Sequence, residues 1–193
     1  MTYSRITIHT SSSQKGFTII ETLIAITVLM IAVAGPLSVA SKGLLSAQIS
    51  KDQMIASYLA EESMEAIKNS RDNNIATNGN ANLFSNASII TSCTNTANNY
   101  CDMSTTDSTA LLTGCASLGN CPLYIDPNGI YMHTSTGNRK SAFSRAYYVT
   151  ASSGSGTCNN ASTECQVHVI VSWNEGSIPN QVELVSEITK TIR

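Results

Sequence analysis

An apolar stretch near the N-terminus, Phe17 to Ala34, limits what this chain can fold into more than any other feature. It contains 18 residues, which as an α-helix would span roughly 27 Å, close to the hydrocarbon thickness of a bilayer, about 30 Å. Glu21 is the single ionisable residue in it. The stretch therefore predicts a membrane-spanning helix that carries one carboxylate.

The residues in front of the stretch indicate its orientation. Arg5 and Lys15 precede it, and no acidic residue comes before Glu21. The positive-inside bias then predicts a cytoplasmic N-terminus and an outer location for everything after Pro36.

An ordinary secretory signal peptide is the competing interpretation of the same stretch. Ala32 to Ala34 offers a small-residue cleavage site just before Gly35. The helical rhythm of the sequence continues beyond Gly35, however, and this favours retention of the segment. A helix inside a folded core is disfavoured, since it would be apolar on every face.

Glu21 needs a physical reason to be there. A carboxylate inside hydrocarbon costs on the order of 3 kcal/mol without a partner. The stretch contains no Lys or Arg, so a cation would have to come from a neighbouring chain. An ion pair at about 4 Å, with an effective dielectric constant near 20, returns roughly 4 kcal/mol. The alternatives are a carboxyl group that reaches the interface or is protonated.

The run Lys15 to Ala25, KGFTIIETLIA, resembles the class III signal peptide of type IV prepilins and pseudopilins. In that family a membrane aspartic peptidase, prepilin peptidase, cleaves after the Gly and N-methylates the new N-terminal Phe. The resemblance implies a leader peptide of residues 1–16, cleavage between Gly16 and Phe17, and N-methylation of Phe17. It also implies that Glu21 pairs with the α-amino group of an adjacent subunit during assembly.

The sequence after the transmembrane segment, 17–36, predicts a second helical half over 37–74. Pro36 lacks an N–H and restricts Gly35, so we expect a kink or an unwound turn between the halves. Apolar residues then recur at three- and four-residue steps, which predicts an amphipathic helix packed on a domain of its own chain. This stripe consists of Leu45, Ile49, Ala56, Leu59, Ala60, Ser63, Met64 and Ile67, opposite Glu61, Glu62, Glu65 and Lys68.

Residues 75–122 are rich in Asn, Ser and Thr and are predicted to be loops that cysteines hold together. The six cysteines lack the C-x2-C spacing of zinc sites and lie on the outer side, which favours disulfides. Six cysteines allow 15 pairings. Nearest neighbours close short loops at low entropic cost and are the first hypothesis: Cys93 with Cys101, Cys115 with Cys121, and Cys158 with Cys165.

Residues 123–193 are predicted to form an antiparallel β domain. Asp126 to Gly129 has the composition of a hairpin turn, and the acids needed for a calcium site are missing. Alternating β-branched and aromatic residues then predict strands at 143–152, 165–173 and 181–192. The fold class is therefore α+β: a long N-terminal helix packed on a C-terminal antiparallel sheet.

This arrangement resembles minor pilins and pseudopilins. A strand with Phe143-x-Arg145, followed by a Val-rich strand that ends in Trp173, is similar to the accessory-pseudopilin subgroup. The resemblance implies a minor, low-abundance subunit of a type IV pilus-like filament. Its partners would be prepilin peptidase, other pilin or pseudopilin subunits and membrane lipid. It would lie in the inner (cytoplasmic) membrane and then in an extracellular filament.

Other function classes are less well supported. Charged residues make up 12% of the chain and the net charge is −2, so a nucleic-acid-binding face is not expected. His133 and His168 sit in strand-like alternation, so we expect no enzyme, no cofactor and no metal site. Two alternatives remain: a single-span surface binding module such as an adhesin, and a pseudopilin of a type II secretion or DNA-uptake machine.

Overall fold

The computed structural model describes residues 16–78, 93, 100–103, 111–115, 117, 119–153, 156, 158 and 162–189. The chain divides after Ala47 into two compact units, residues 1–47 and 48–193. The described elements are one long helix and a seven-stranded antiparallel sheet, which confirms the predicted α+β class.

Helix α1 runs from Ile19 to Asn78, 60 residues. It is helical throughout, Gly35 and Pro36 included, so the unwound turn expected there is not formed. A proline removes one backbone hydrogen bond, and a helix this long keeps its continuity through the others. The helix also continues past residue 74, where polar side chains bond along its own surface: Thr77 Oγ1 donates to the carbonyl oxygen of Asn73 at 2.8 Å.

The part of α1 after Gln48 buries one stripe of side chains. Its buried members are Ala56, Leu59, Ala60, Ser63, Met64 and Ile67, all of which belong to the stripe predicted from the sequence. Leu45 and Ile49, the first two members of that predicted stripe, are exposed. They precede the part of the helix that packs on the sheet.

The sheet is built on one long strand. The seven strands are β1 (Tyr100–Met103), β2 (Leu111–Cys115), β3 (Pro122–Ile125), β4 (Tyr131–Met132), β5 (Arg139–Ala151), β6 (Glu164–Glu175) and β7 (Ile178–Thr189). One edge of β5 pairs with β6, which in turn pairs with β7. The other edge of β5 pairs with β3 near its start and with β1 near its end. Strands β2 and β4 extend these two branches.

Strands β1 and β2 lie in the segment 75–122, which the sequence analysis interpreted as loops. They are four and five residues long, and they pair with each other and, through Cys101 opposite Tyr147, with β5. Their position is therefore set by a distant strand and by disulfides. The local alternation of apolar residues therefore indicates little about where these two strands lie.

The core lies between α1 and one face of the sheet. Alternate residues of β5 and β6 face the helix, among them Phe143, Tyr147, Val169 and Trp173. The rings of Phe143 and Trp173 lie 5.9 Å apart. The cluster contains the buried helix residues from Ala56 to Ile67, so sheet and second helical half share one core.

Candidate functional site

The segment around the expected cleavage point leads directly into the helix. Gly16, Phe17 and Thr18 precede the first helical residue, and the Phe17 side chain is 82% exposed. A Cβ atom at Gly16 would meet no other atom within 4 Å. Lys15, the remaining residue of the predicted processing site, lies outside the described residues. The peptide bond from Gly16 to Phe17 is thus outside helical structure, which suits an extended peptidase substrate.

Thr18 caps the N-terminus of α1. Its Oγ1 accepts the backbone N–H of Glu21 at 3.3 Å, and its carbonyl oxygen accepts the backbone N–H of Thr22 at 3.1 Å. Thr18-x-x-Glu21 is the sequence of a capping box, a signal the sequence analysis missed. Glu21 lies in the first helical turn, where the helix dipole favours a carboxylate by about 0.3–1 kcal/mol. This offsets only part of the cost of about 3 kcal/mol for a carboxylate in hydrocarbon, and a cationic partner from a neighbouring chain stays a prediction.

The other polar side chains of the apolar stretch bond to the helix itself. Thr22 Oγ1 donates to the carbonyl oxygen of Ile19, and Thr27 Oγ1 to that of Ile24, each at 2.8 Å. These hydroxyl groups are compatible with lipid. Among the described residues, α1 is the helix long and apolar enough to cross a membrane. Its large apolar side chains between Phe17 and Val39 are all exposed.

The six cysteines form three disulfides: Cys93–Cys101, Cys115–Cys121 and Cys158–Cys165, with Cα atoms 5.4, 5.5 and 5.8 Å apart. These are the nearest-neighbour pairs expected from the sequence. Two of them hold segments against β5. The carbonyl oxygen of Cys93 accepts the N–H of Val149 at 2.7 Å, and that of Cys121 accepts the N–H of Arg145 at 3.1 Å.

A buried ionic cluster joins the helix to the sheet. Arg145 on β5 is fully buried, and its Nε lies 3.1 Å from Oδ1 of the fully buried Asp102 on β1. Its Nη1 donates to the carbonyl oxygen of Leu59 and to Glu62 Oε2, each at 3.2 Å. His133, after β4, contacts Asp102 through Nε2.

Arg145 lies in the Phe-x-Arg strand identified from the sequence, whereas Asp102 falls in the segment that was predicted to consist of loops. Arg145 occupies an inward position of an otherwise apolar strand. This position could have indicated that an acidic side chain is buried beside it. Tyr147 borders the same cluster. Burial, and next the charge of Asp102, raises the pKa of Tyr147, so its phenol stays neutral. Its hydroxyl group is within 3.5 Å of Cys93 Sγ.

The outer face of the sheet carries a hydroxyl–imidazole–carboxylate row. His168 Nε2 lies 3.2 Å from Thr150 Oγ1, and His168 Nδ1 lies 2.8 Å from Glu183 Oε1. The imidazole also stacks on Tyr148 with ring centres 4.5 Å apart. Such a row is typical of nucleophilic catalysis, but the Thr150 residue is 6% exposed, too little for a substrate to reach the hydroxyl. The row connects β5, β6 and β7.

Comparison with known families adds to these observations. Residues 11–35 match the prokaryotic N-terminal methylation motif. This match contains the residues expected from the sequence to serve in processing and assembly: Lys15, Gly16, Phe17 and Glu21. No curated protein and no solved structure matches the chain. The chain thus carries an N-terminal methylation motif of the kind typical of type IV pilins and pseudopilins, and this motif lies at the start of a long helix whose second half packs on an antiparallel sheet, a pilin-like α+β fold.

Proposed function

We propose that this chain is a prepilin whose mature form begins at Phe17 and serves as a minor, low-abundance subunit of a type IV pilus-like filament. The observation that carries the proposal is the methylation motif over residues 11–35, which ends within a helix long and apolar enough to cross a membrane. The chain acts in this proposal as a structural subunit and not as an enzyme.

Processing at Gly16 creates the group that assembly needs. Prepilin peptidase would cleave an extended segment, and both Gly16 and Phe17 lie outside helical structure. Cleavage produces an α-amino group at Phe17, which N-methylation leaves cationic. The carboxylate of Glu21 on one subunit then pairs with the amino group of its neighbour, and both charges are neutralised inside the apolar part of the filament.

The three disulfides support the proposed orientation. Disulfides persist in oxidising compartments, and all six cysteines lie after residue 92. The β domain therefore faces the outer side of the inner membrane, and the N-terminus faces the cytoplasm.

Mass spectrometry of the N-terminal peptide from native membranes tests the processing step. We expect N-methylated Phe17 in the wild type. Gly16→Leu should leave the precursor uncut, whereas the control Ser11→Leu, in the same leader, should be cleaved normally. A protein that keeps Met1 would be an anchored binding module, and one that begins at Gly35 would be secreted. Either result would contradict the proposal.

A second measurement tests whether the chain is a minor subunit of a surface filament. Quantitative mass spectrometry of sheared filaments should find this chain at a small fraction of the main subunit, which is the result expected of a minor pilin. The alternative, a pseudopilin of a type II secretion or DNA-uptake machine, predicts mature protein that stays in the cell envelope and is missing from sheared surface filaments.

A further inference from the structure

Strand β7 leaves one edge of the sheet open. It runs over 12 residues, Ile178–Thr189, and pairs with β6 in a continuous register without a bulge. Among the strands that the structure describes, β6 is the one that pairs with it. Every second residue of an edge strand directs its backbone N–H and carbonyl oxygen away from the paired strand. Residues 180–187 are all at least partly exposed, so this part of the open edge reaches the surface.

The sequence of β7 lacks the features that usually protect an open edge. Such features are a lysine, a proline, a bulge or a very short strand. Pro179 is the second residue of β7, and residues 180–189 contain no proline, glycine, lysine or arginine. An unprotected edge of this length is a template for strand addition, in which an extended segment pairs with it through main-chain hydrogen bonds.

A groove of about 500 Å³ lies beside this edge, where α1 meets β7. Leu184 of β7 and Met64 of α1 line it, and both also pack in the core between helix and sheet, so they give the groove an apolar floor. Three exposed glutamates of α1 make the lining acidic. The helix residues that line the groove are Tyr58, Glu61, Glu62, Met64, Glu65 and Lys68.

Strand geometry brings an added segment into this groove. Side chains that stand opposite one another on neighbouring strands have Cβ atoms about 4.5–5.5 Å apart. A residue of the added strand opposite Leu184 therefore stands on the helix side of the sheet, in the groove. The residues on either side of it point to the outer face, where Val185 of β7 is 48% exposed. An added strand thus meets an acidic groove with one set of side chains and an apolar side chain with the other.

The charges of the groove select the chemistry of the added strand. Glu61 and Glu65 make no ion pair within 4 Å among the described residues. Lys68 is the one cation among the described residues that line the groove. Tyr58 is 64% exposed, and a tyrosine ring attracts the head group of a lysine or arginine and packs against its stem. The groove therefore suits a basic side chain.

We propose that the open edge of β7 and this groove form a docking site for an extended segment of a partner protein in which basic residues alternate with apolar ones. The basic side chains lie in the groove, and the apolar side chains lie beside Val185. A second copy of β7 is a poorer occupant, because it brings Glu183 and Glu187 and no lysine or arginine. The docking site does not depend on filament assembly.

Fluorescence anisotropy of a labelled peptide tests the docking site. The protein is the full chain in nanodiscs of zwitterionic phosphatidylcholine, and the probe is the peptide KVKVKVT, in which lysine alternates with valine. Empty nanodiscs give the background. We expect saturable binding of this peptide and weaker binding of EVEVEVT and of KKKVVVT. Absence of binding would overturn the proposal, and so would equal binding of KVKVKVT and KKKVVVT, because composition alone would then explain the affinity.

Backbone methylation of the probe tests strand addition itself. In an added strand, either the lysines or the valines direct their N–H groups toward β7. Two versions of KVKVKVT carry N-methyl groups, one on the lysine amides and the other on the valine amides. We expect one of the two versions to lose binding. Unchanged binding of both versions would show that main-chain hydrogen bonds are not involved and would overturn the proposal.

Matched variants then locate the binding. Glu61→Gln/Glu65→Gln removes two carboxylates from the groove and should raise the dissociation constant of KVKVKVT about fivefold or more. Ser135→Lys/Thr136→Lys is the control, because it changes the net charge by the same amount in the exposed segment between β4 and β5. Fluorescence of Trp173 checks that each variant is folded. Equal binding by the two double variants would overturn the proposal. A dimer that excludes the peptide, detected by light scattering, would also overturn it, since a second copy would then cover the edge.

Discussion

Arg145 on β5 contacts both the helix and strand β1. It is fully buried, and its donors reach a carboxylate on β1 and a helix carbonyl oxygen at Leu59. A buried ion pair adds little net stability, because desolvation of both charges cancels most of their attraction. Removal of one partner is different, since the other charge is then left buried and uncompensated. The main effect of Arg145 is therefore to determine which part of the helix faces β5. Its effect on stability is smaller.

Arg145→Met should lower the free energy of unfolding by about 3–5 kcal/mol, because the buried carboxylate of Asp102 then loses the guanidinium group, although it keeps its contact with His133. The double variant Arg145→Met/Asp102→Asn should recover part of this loss. Urea unfolding followed by Trp173, the single tryptophan of the chain and 5% exposed, measures both. Equal stability of the single and double variants would show that the charge of Asp102 is not what Arg145 compensates.

Asp126 shapes the turn between β3 and β4. Its Oδ1 accepts the backbone N–H groups of Asn128 and Ile130 at 2.8 and 2.7 Å. The hydrogen bond from Ile130 is the largest cause of a pKa below the ordinary value of 3.8, with further hydrogen bonds from Asn128 and Gly129. Gly129 has a φ of 87°, which a glycine adopts without strain.

A pH series tests this turn. Since folding lowers the pKa of Asp126, its carboxylate contributes stability that is fully present above about pH 3.8 and is lost as the pH falls below that value. Asp126→Asn lacks the ionisable group. The urea midpoint of the wild type should therefore fall more between pH 6 and pH 3 than that of Asp126→Asn. Parallel pH profiles would show that the charge of Asp126 does not stabilise the turn.

Strand β5 lies at the centre of the sheet. The sequence predicted the strands on one side of β5 better than those on the other side. The β5–β6–β7 pairing could be anticipated because each strand is long and alternates clearly. The nearest-neighbour disulfides could also be proposed, since short loops cost little entropy to close. Strands β1 and β2 could not be anticipated, because each is short and depends on β5 and on a cysteine.

The disulfides Cys115–Cys121 and Cys158–Cys165 offer a matched comparison. Cys115→Ser/Cys121→Ser and Cys158→Ser/Cys165→Ser each open one loop, of sequence separation 6 and 7. Each should lower the free energy of unfolding by about 2–3 kcal/mol. Membrane insertion, measured by resistance to carbonate extraction, should be unchanged in both.

At the scale of the whole molecule, one helix serves two environments. Its first half exposes apolar residues all round, while its second half buries a single stripe against the sheet. The sequence predicted that the two halves meet at Pro36, whereas in the structure apolar side chains stay exposed as far as Met54 and the buried stripe begins at Ala56. The sequence did not predict that the helix stays continuous at Pro36, since this proline is a local signal and helical continuity depends on many bonds. The sequence also contains the Thr18-x-x-Glu21 spacing of a capping box, and in the structure Thr18 Oγ1 accepts the backbone N–H of Glu21.

The behaviour of Glu21→Leu separates insertion from assembly. Insertion depends on the summed apolar character of the segment, so the variant should enter the membrane at least as well as the wild type, and cleavage before Phe17 should continue. Assembly should fail, because the α-amino group of the neighbouring subunit would be left as an uncompensated charge that costs on the order of 3 kcal/mol or more.

The measurement is the ratio of mature protein in sheared filaments to that in membranes. Glu187→Leu, the same change at an exposed position of β7, is the control and should assemble normally. Equal ratios for Glu21→Leu and the wild type would show that Glu21 is not a subunit-pairing residue. A subunit at the very tip has neighbours on one side only, so a partial loss would place this chain at the end of the filament.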